Sequence, residues 1–308
     1  MMKLRQLQYF LRVVEMQNIT RAAESLHVAQ PALSQQINLL EDELGVKLLA
    51  RGSKGVSATP EGQLLYRHAQ TILRQVENTK SLLTKTTSQV SGSVSIGLPS
   101  STARLICLPL LTTAKKVFPS VVIEVVDTPS ADLTKLVMQG RVDFAISPDQ
   151  QIIKGMLRES LFTEDLYLLT HNSINFNRAR VSVQQMCDLP FVLPSPPNQL
   201  RAMFDQMFHA ERKTYNLFAE ASTSAILVPF VSSGLGATIL PYSAAKPELA
   251  AGQINSHRIV NNPQREMMLC ISETAVTSHA VEKVIELLRE VIKDLVVTKQ
   301  WQGCKLHY

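Results

Sequence analysis

The chain has 308 residues, of which 45% are hydrophobic and 19% charged, so it is neither a disordered chain nor a membrane bundle, and its length exceeds what one core comfortably serves. The net charge of +5 is concentrated at the front, where residues 1–90 hold 11 Lys and Arg against 7 Asp and Glu. A basic front on a near-neutral body points to a polyanion as the partner of that end.

Residues 3–16 place Leu4, Leu7, Leu11 and Val14 at helical spacing with charges mixed in, which predicts an amphipathic helix and not a secretory leader. A second helix starts at Ile19-Thr20, with Thr20 as its cap, and closes at Leu26. His27-Val28-Ala29 make a turn, and Gln30-Pro31 open a third helix with proline at a first-turn position. Leu33, Ile37, Leu40 and Leu44 form its core stripe, and Gly45 is the expected left-handed stop. Pro31, Gln35 and Asn38 then fall on the opposite face, with Ser34 on its flank. That face has no acid in its first two turns, which suits phosphate and base-edge contact in a DNA major groove. Glu41, Asp42 and Glu43 would be repelled by phosphate, so the far end of this helix is expected to point away from any backbone.

Val46–Thr59 predicts a small β-wing whose tip carries Arg51 and Lys54. Thr59-Pro60 launches a long helix to about Thr87, in which Leu65, Ala69, Ile72, Val76, Thr79 and Leu83 alternate spacings of four and three. That is a heptad seam, expected to pair with a second copy of the chain, with packing against its own chain as the alternative. Ser88–Ser93 is polar and Gly/Ser-rich, and is expected to be a hinge.

Beyond the hinge, strands and helices alternate. Strands are expected at Val94–Leu98, Val121–Val126, Val142–Ser147, Leu166–Thr170, Phe191–Leu193, Leu217–Glu220, Ala237–Leu240 and Met267–Ile271. Helices are expected at Ala103–Phe118, Ala131–Gln139, Leu200–Ala210, Ser224–Ser233 and from Ser278 to about Val297. The order predicts two α/β lobes joined by crossing strands. The longest uncharged stretch, Ala221–Ala245, is broken by Pro229, Gly234, Gly236 and Pro241, so no membrane span is expected. The seven histidines form no H-E-x-x-H, no G-x-S-x-G elbow is present, and Gly234-Leu235-Gly236 precedes a strand, so neither catalysis nor a metal or cofactor is expected. The four cysteines are scattered without a C-x-x-C pair and are expected to be buried thiols.

The run AAESLHVAQPALSQQINLLEDELGVKLLAR, followed by T-P-E-G and a long helix, resembles the LysR-type transcriptional regulators. GSVSIG and GLGATILP are also similar to that family, so the resemblance covers the whole chain. LHVAQPALSQQ, the linker's LRQ, SGSVSIG and the late Gln-Trp-Gln are most similar to the branch of the nitrogen assimilation control protein. Ala29 departs from the family's usual Ser or Thr, removing a cap and a phosphate contact, and Leu49 replaces the more usual Phe.

The resemblance implies an N-terminal all-α winged helix-turn-helix over residues 1–59, with the helix-turn-helix at 19–38. A linker helix and hinge follow over 60–90. Residues 91–308 would form a two-lobed α/β effector domain of the periplasmic-binding-protein type 2, with lobe I at about 91–164 and 267–308 and lobe II at about 165–266. Gln30, Pro31, Ser34 and Gln35 would meet bases and backbone, Thr20 and Arg21 a phosphate, and Arg51 the groove beside the wing. The family further implies double-stranded DNA with interrupted palindromes as target, homodimers and homotetramers, RNA polymerase as a partner, and a cytoplasmic location. A small anionic metabolite in the cleft would meet Ser100, Ser101, Thr102, Thr128, Ser130 and Ser147 from one lobe and Ser195, Asn198 and Thr223 from the other. Thr102, Ser130 and Thr223 could instead cap the helices they precede. Two alternatives stay open: a ligand-independent regulator whose α/β domain only assembles, and a binding protein or enzyme on a two-lobed fold.

Overall fold

A computed structural model describes residues 1–52, 55–83, 90–148, 151–176, 179–275 and 277–308. The chain divides into two compact units, Met1–Thr86 and Thr87–Tyr308.

In the first unit, helices α1 (Leu4–Met16), α2 (Ile19–Ser25) and α3 (Gln30–Leu44) precede strands β1 (Leu49–Gly52) and β2 (Gly55–Ala58), and α4 (Pro60–Leu83) follows. Phe10, Val13, Ala22, Leu33, Ile37 and Leu40 are fully buried and hold the three helices together, and Leu49 joins the same core. Two expectations change. The cap of α2 is Asn18, whose side chain accepts from the Arg21 N–H at 3.0 Å, while Thr20 lies exposed inside the first turn. Leu44 is 40% exposed because the last turn of α3 runs past the core before Gly45 stops it at φ +69°.

The core is closed there by an acid. Glu41 is buried; its Oε1 accepts from the N–H groups of Leu48 and Leu49 at 2.9 and 3.1 Å, and its Oε2 pairs with Lys47 at 2.7 Å. Its charge therefore faces the wing strand's backbone and not solvent. The wing is pinned a second time by Val56 N–H to Gln17 O at 3.0 Å. Gly55 is required at that contact: it sits at φ +115°, and a Cβ there would come within 2.7 Å of Gln17 O.

Thr59 Oγ1 donates to Lys47 O and accepts from Gly62 N–H, and a Cβ on Gly62 would meet Leu48 O at 2.0 Å. The T-P-E-G run thus clamps the start of α4 onto the wing. Further along α4, Ala69 is completely buried against Leu7 and Leu11 of α1, with Leu65 and Ile72 beside it. The first half of the expected seam is therefore occupied within the chain, and Val76 and Thr79 follow beyond it. The Leu83 side chain and residues 84–89 lie outside the described residues, while Ser91–Ser93 of the expected hinge already form a strand.

In the second unit, lobe I begins with β3 (Ser91–Leu98), α5 (Ser100–Val117), β4 (Ser120–Asp127), α6 (Ser130–Met138) and β5 (Phe144–Ser147). The 16-residue β6 (Met156–His171) then crosses to lobe II. Lobe II comprises α7 (Val183–Met186), β7 (Pro190–Pro194), α8 (Gln199–Ala210), β8 (Asn216–Ala221), α9 (Ser224–Ser232), β9 (Thr238–Pro241), a 3-10 turn at Tyr242–Ala244, α10 (Lys246–Ala250) and β10 (Ile254–Arg258). β11 (Gln264–Ser272) returns to lobe I, where α11 (His279–Val297) and β12 (Cys304–Leu306) complete it. The main sheet runs β10-β6-β11-β5-β3-β4, with β9 and β12 also on β6. The expected strand Leu166–Thr170 is only the second half of β6. Its first half was missed because Arg158, Glu159 and Glu164 interrupt the apolar pattern. Each lobe has its own core, one around Ile96, Phe144, Leu288 and Trp301, the other around Leu168, Phe191, Phe204 and Val228.

The Glu41 contacts generate a stability prediction. Burial would raise its pKa, but the Lys47 bond and the two backbone N–H bonds outweigh it, so the carboxyl titrates below the ordinary value of 4.5. A depressed carboxyl contributes stability that is full above that ordinary value and is lost as pH falls through the depressed one. Glu41→Ala, which strands two buried N–H groups, should cost about 2–3 kcal/mol at pH 7. Glu41→Gln should cost less and remove part of the acid dependence; urea unfolding of the first unit at pH 7 and pH 3.5 measures both.

Candidate nucleic-acid interface and ligand cleft

The first candidate surface is the outer face of α3. Gln30, Pro31, Gln35 and Asn38 are exposed and Ser34 half-buried, as the helical spacing requires. Gln30 Nε2 donates to Ser34 Oγ at 2.9 Å, so these two side chains are held in one arrangement. Gln35 makes no side-chain bond among the described residues, leaving both ends of its amide for a base edge. The N-cap is Ala29, which supplies no side-chain bond, so the first-turn N–H groups of α3 stay open to a phosphate. Thr20 and Arg21 are exposed at the start of α2. Arg51 lies in β1 opposite Val56, but its side chain and all of Lys54 fall outside the described residues.

The second candidate is the cleft between the lobes of the α/β unit. Four helices begin at it. α5, α6 and α9 start after Pro99, Pro129 and Thr223, none of which supplies a side-chain cap bond. α8 differs, since Asn198 Oδ1 accepts from Leu200 and Arg201 N–H groups. The helix starts enclose an inner chamber of about 40 Å³, lined by Ser100, Ser101, Thr128, Ser130, Asn198, Thr223, Ser224 and Arg265 among others. A wider chamber of about 570 Å³ opens outward between α6 and α8, past Ser130, Thr134, Asn198, Gln199 and Arg201.

Six of the nine candidate residues thus come together at the inner chamber. Thr102 and Ser147 are fully buried and do not line it, and Ser195 also lies off its wall. Three of the six are already engaged, Asn198 through its cap bonds to α8. Ser100 Oγ donates to Asp127 Oδ1 at 2.5 Å, and Ser101 Oγ accepts from Arg265 Nη2 at 2.7 Å. Thr223 is the N-cap residue of α9 but makes no cap bond, and Ser130 is the first residue inside α6.

Sequence reasoning missed the floor of the cleft. Arg265 of β11 pairs in register with Glu164 of β6, and its guanidinium binds Glu164 Oε1 at 2.6 and 2.8 Å. Glu164 Oε2 accepts from Ser243 Oγ at 2.9 Å and Trp301 Nε1 at 3.2 Å. Both charged residues are buried and of opposite sign, and Arg265 Nη2 also donates to Ser101. Ser224, also missed, is 4% exposed and its Oγ has no partner in the chamber. A charge inside each of two apolar strand runs was the available signal. Three open helix starts and an unpartnered hydroxyl suit an anion, but 40 Å³ holds only about two or three water-sized groups.

Of the four free thiols only Cys270 is buried, whereas Cys107, Cys187 and Cys304 are half-buried, contrary to the expectation that all are buried. Burial, with Asp127 nearby, pushes Cys107 up to about 11. Burial beside Glu164 and Asp165 pushes Cys304 further still. Neither is a thiolate near neutral pH, and the thiolate is the reactive form. Among the described residues no group of three or more His, Cys, Asp or Glu side chains could hold a metal ion, and no helix is long and apolar enough to cross a membrane.

Residues 4–63 match the family model described as bacterial regulatory helix-turn-helix protein, lysR family, and residues 87–293 match the LysR substrate binding domain. The chain is 34% identical over 306 residues to the nitrogen assimilation regulatory protein nac of Escherichia coli strain K12, covering 98% of this chain and 99% of that one. It is 32% identical to the protein of the same name from Klebsiella aerogenes, covering 96% of this chain and 95% of that one. In fold it is similar to full-length OxyR from Pseudomonas aeruginosa, with a TM-score of 0.68 and 24% identity over 95% of both chains. CbnR bound to its target DNA matches with a TM-score of 0.69 at 21% identity, covering 94% of this chain and all of that one.

Proposed function

The chain belongs to the lysR family of bacterial regulatory helix-turn-helix proteins, and from that premise we propose that it reads operator DNA through α3 and answers to a small carboxylate-bearing metabolite in its interlobe cleft. It is a DNA-binding transcriptional regulator and not an enzyme. The observation that carries the reading is the acid-free outer face of α3, with an uncapped N-terminus beside a wing pinned at Gln17 and Glu41. Gln35 bonds a base edge bidentately, Gln30 and Ser34 contact base and backbone as a bonded pair, and Thr20 and Arg21 meet a phosphate. The likeness to the nac proteins supports targets in nitrogen metabolism, with RNA polymerase as the partner at those promoters and the cytoplasm as the place of action. Gln35→Ala should weaken the specific operator by about 1–3 kcal/mol and leave random DNA unaffected, whereas Arg51→Ala should weaken both and flatten the salt dependence. Gel shifts on operator and scrambled DNA at two salt concentrations separate the roles, and an equal loss on both DNAs for Gln35→Ala would remove it from base reading.

Two copies pair through the later part of α4, which sets two recognition helices side by side over half-sites about one helical turn apart. Support comes from the heptad spacing and from Val76 and Thr79, which lie beyond the stretch that α1 covers. Further pairing through the α/β units makes the tetramer. Val76→Asp with Thr79→Asp puts four acids into the paired seam and should cost several kcal/mol of association. Light scattering should then show dissociation together with loss of palindrome binding; normal pairing would place the seam elsewhere.

The effector sits with its carboxylate against the open starts of α5, α6 and α9 and its body in the outer chamber, since the inner one admits only a head group. At about 100 times its dissociation constant such a ligand stabilises the unit by roughly 2.7 kcal/mol. A thermal-shift screen of small metabolic acids over the full chain should find one that raises the midpoint, and Ser224→Val should abolish its effect. A flat screen would favour the ligand-independent reading, which the already bonded hydroxyls of Ser100 and Ser101 also support.

A further inference from the structure

β6 and β11 cross between the lobes along one side of the cleft and provide the hinge about which the lobes can turn. Beside that hinge, α5 of lobe I packs against the stretch Tyr242–Ala250 of lobe II, which comprises the 3-10 turn and α10, and also touches α9. That stretch is anchored firmly in its own lobe, because Ala244 and Ala245 are completely buried in the lobe II core.

We propose that Tyr242–Ala250 is a strap that latches the two lobes shut, with the Arg104–Glu248 ion pair as its clasp. Arg104 lies one turn beyond Ser100 on α5, and its Nη2 meets Glu248 Oε1 of α10 at 2.6 Å. The side chains are 26% and 18% exposed, so water and salt screen this pair far less than a surface pair. Glu248 Oε2 is buried and makes no bond of its own among the described residues. The carboxylate is therefore tolerable in that position only while Arg104 faces it, and losing Arg104 would favour moving Glu248 back into water. Two other contacts line up along the same strap. Lys246 Nζ donates to Gln300 Oε1 at 3.0 Å just beyond α11, and Ser243 Oγ donates to Glu164 at the hinge. In this arrangement the inner chamber has about 40 Å³. The latch thus sets how often the cleft opens, whether or not a ligand uses it.

The test is the distance between lobes in the full-length protein, measured by pulsed electron paramagnetic resonance. Spin labels are carried on ketone amino acids at positions 132 of α6 and 206 of α8, both exposed beside the cleft mouth, and labelled subunits are diluted into unlabelled ones. The parent should give one short distance. Arg104→Ala and Glu248→Ala should each raise the population at longer distances about 5- to 30-fold, the range for a contact worth one or two kcal/mol. Combining the two should add nothing further, because each already breaks the same pair. Exchanging the charges, Arg104→Glu with Glu248→Arg, should restore the short distance. An unchanged distribution in both single variants overturns the latch, as does a charge exchange that stays open.

Discussion

Glu164 and Arg265 meet where the chain crosses between its lobes, and neither is more than 3% exposed. Taking both charges out of water carries a desolvation cost that their attraction offsets only with good geometry and satisfied remaining lone pairs. The structure meets that condition through Ser243, Trp301 and Ser101, each donating to or accepting from the pair. Those partners come from the strap of lobe II, the tail beyond α11 and the first turn of α5. One buried carboxylate therefore ties together four segments that are far apart in sequence, and the position of α5 beside the cleft follows from it.

The same physics appears on a smaller scale in the DNA-reading unit. Glu41 is the last inward group of α3, and its carboxylate takes the place of a helix cap for the wing strand, accepting two N–H groups that β2 cannot reach. Because the acid is attached to the recognition helix, the wing has a fixed place relative to α3. The Gln17–Val56 bond fixes its other side. The two surfaces that would meet DNA are thus held by buried polar contacts, not by the wing's own short strands.

Function lies where bonding is left open. Among the described residues, the outer face of α3 keeps Gln35 unbonded and the helix start uncapped, and the cleft keeps three helix starts and Ser224 Oγ without side-chain partners. Other helix starts are closed by their own side chains, as Asn198 and Ser278 close those of α8 and α11. An unsatisfied group in an interior or a groove is costly unless something arrives to complete it.

The sequence by itself determined the local elements and the class of protein. Helical spacing from Leu33 to Leu40 placed Gln35 and Asn38 outward, and proline and glycine marked where α3 begins and ends, because periodicity and backbone constraint act over a few residues. It also carried the family motifs, including T-P-E-G, although the need for Gly62 appears only when Leu48 O is seen 2.0 Å from where a Cβ would stand. Tertiary structure alone decided the rest. Arg265 and Glu164 are 101 positions apart, Arg104 and Glu248 are 144 apart, and no short-range pattern links them. No sequence pattern marks Glu41 as the acid that the wing buries, and spacing alone left Leu65, Ala69 and Ile72 to meet either a second copy or the chain itself, until α1 was folded against them. Burial belongs to the folded chain as a whole, and a charge or a methyl acquires its role from what covers it.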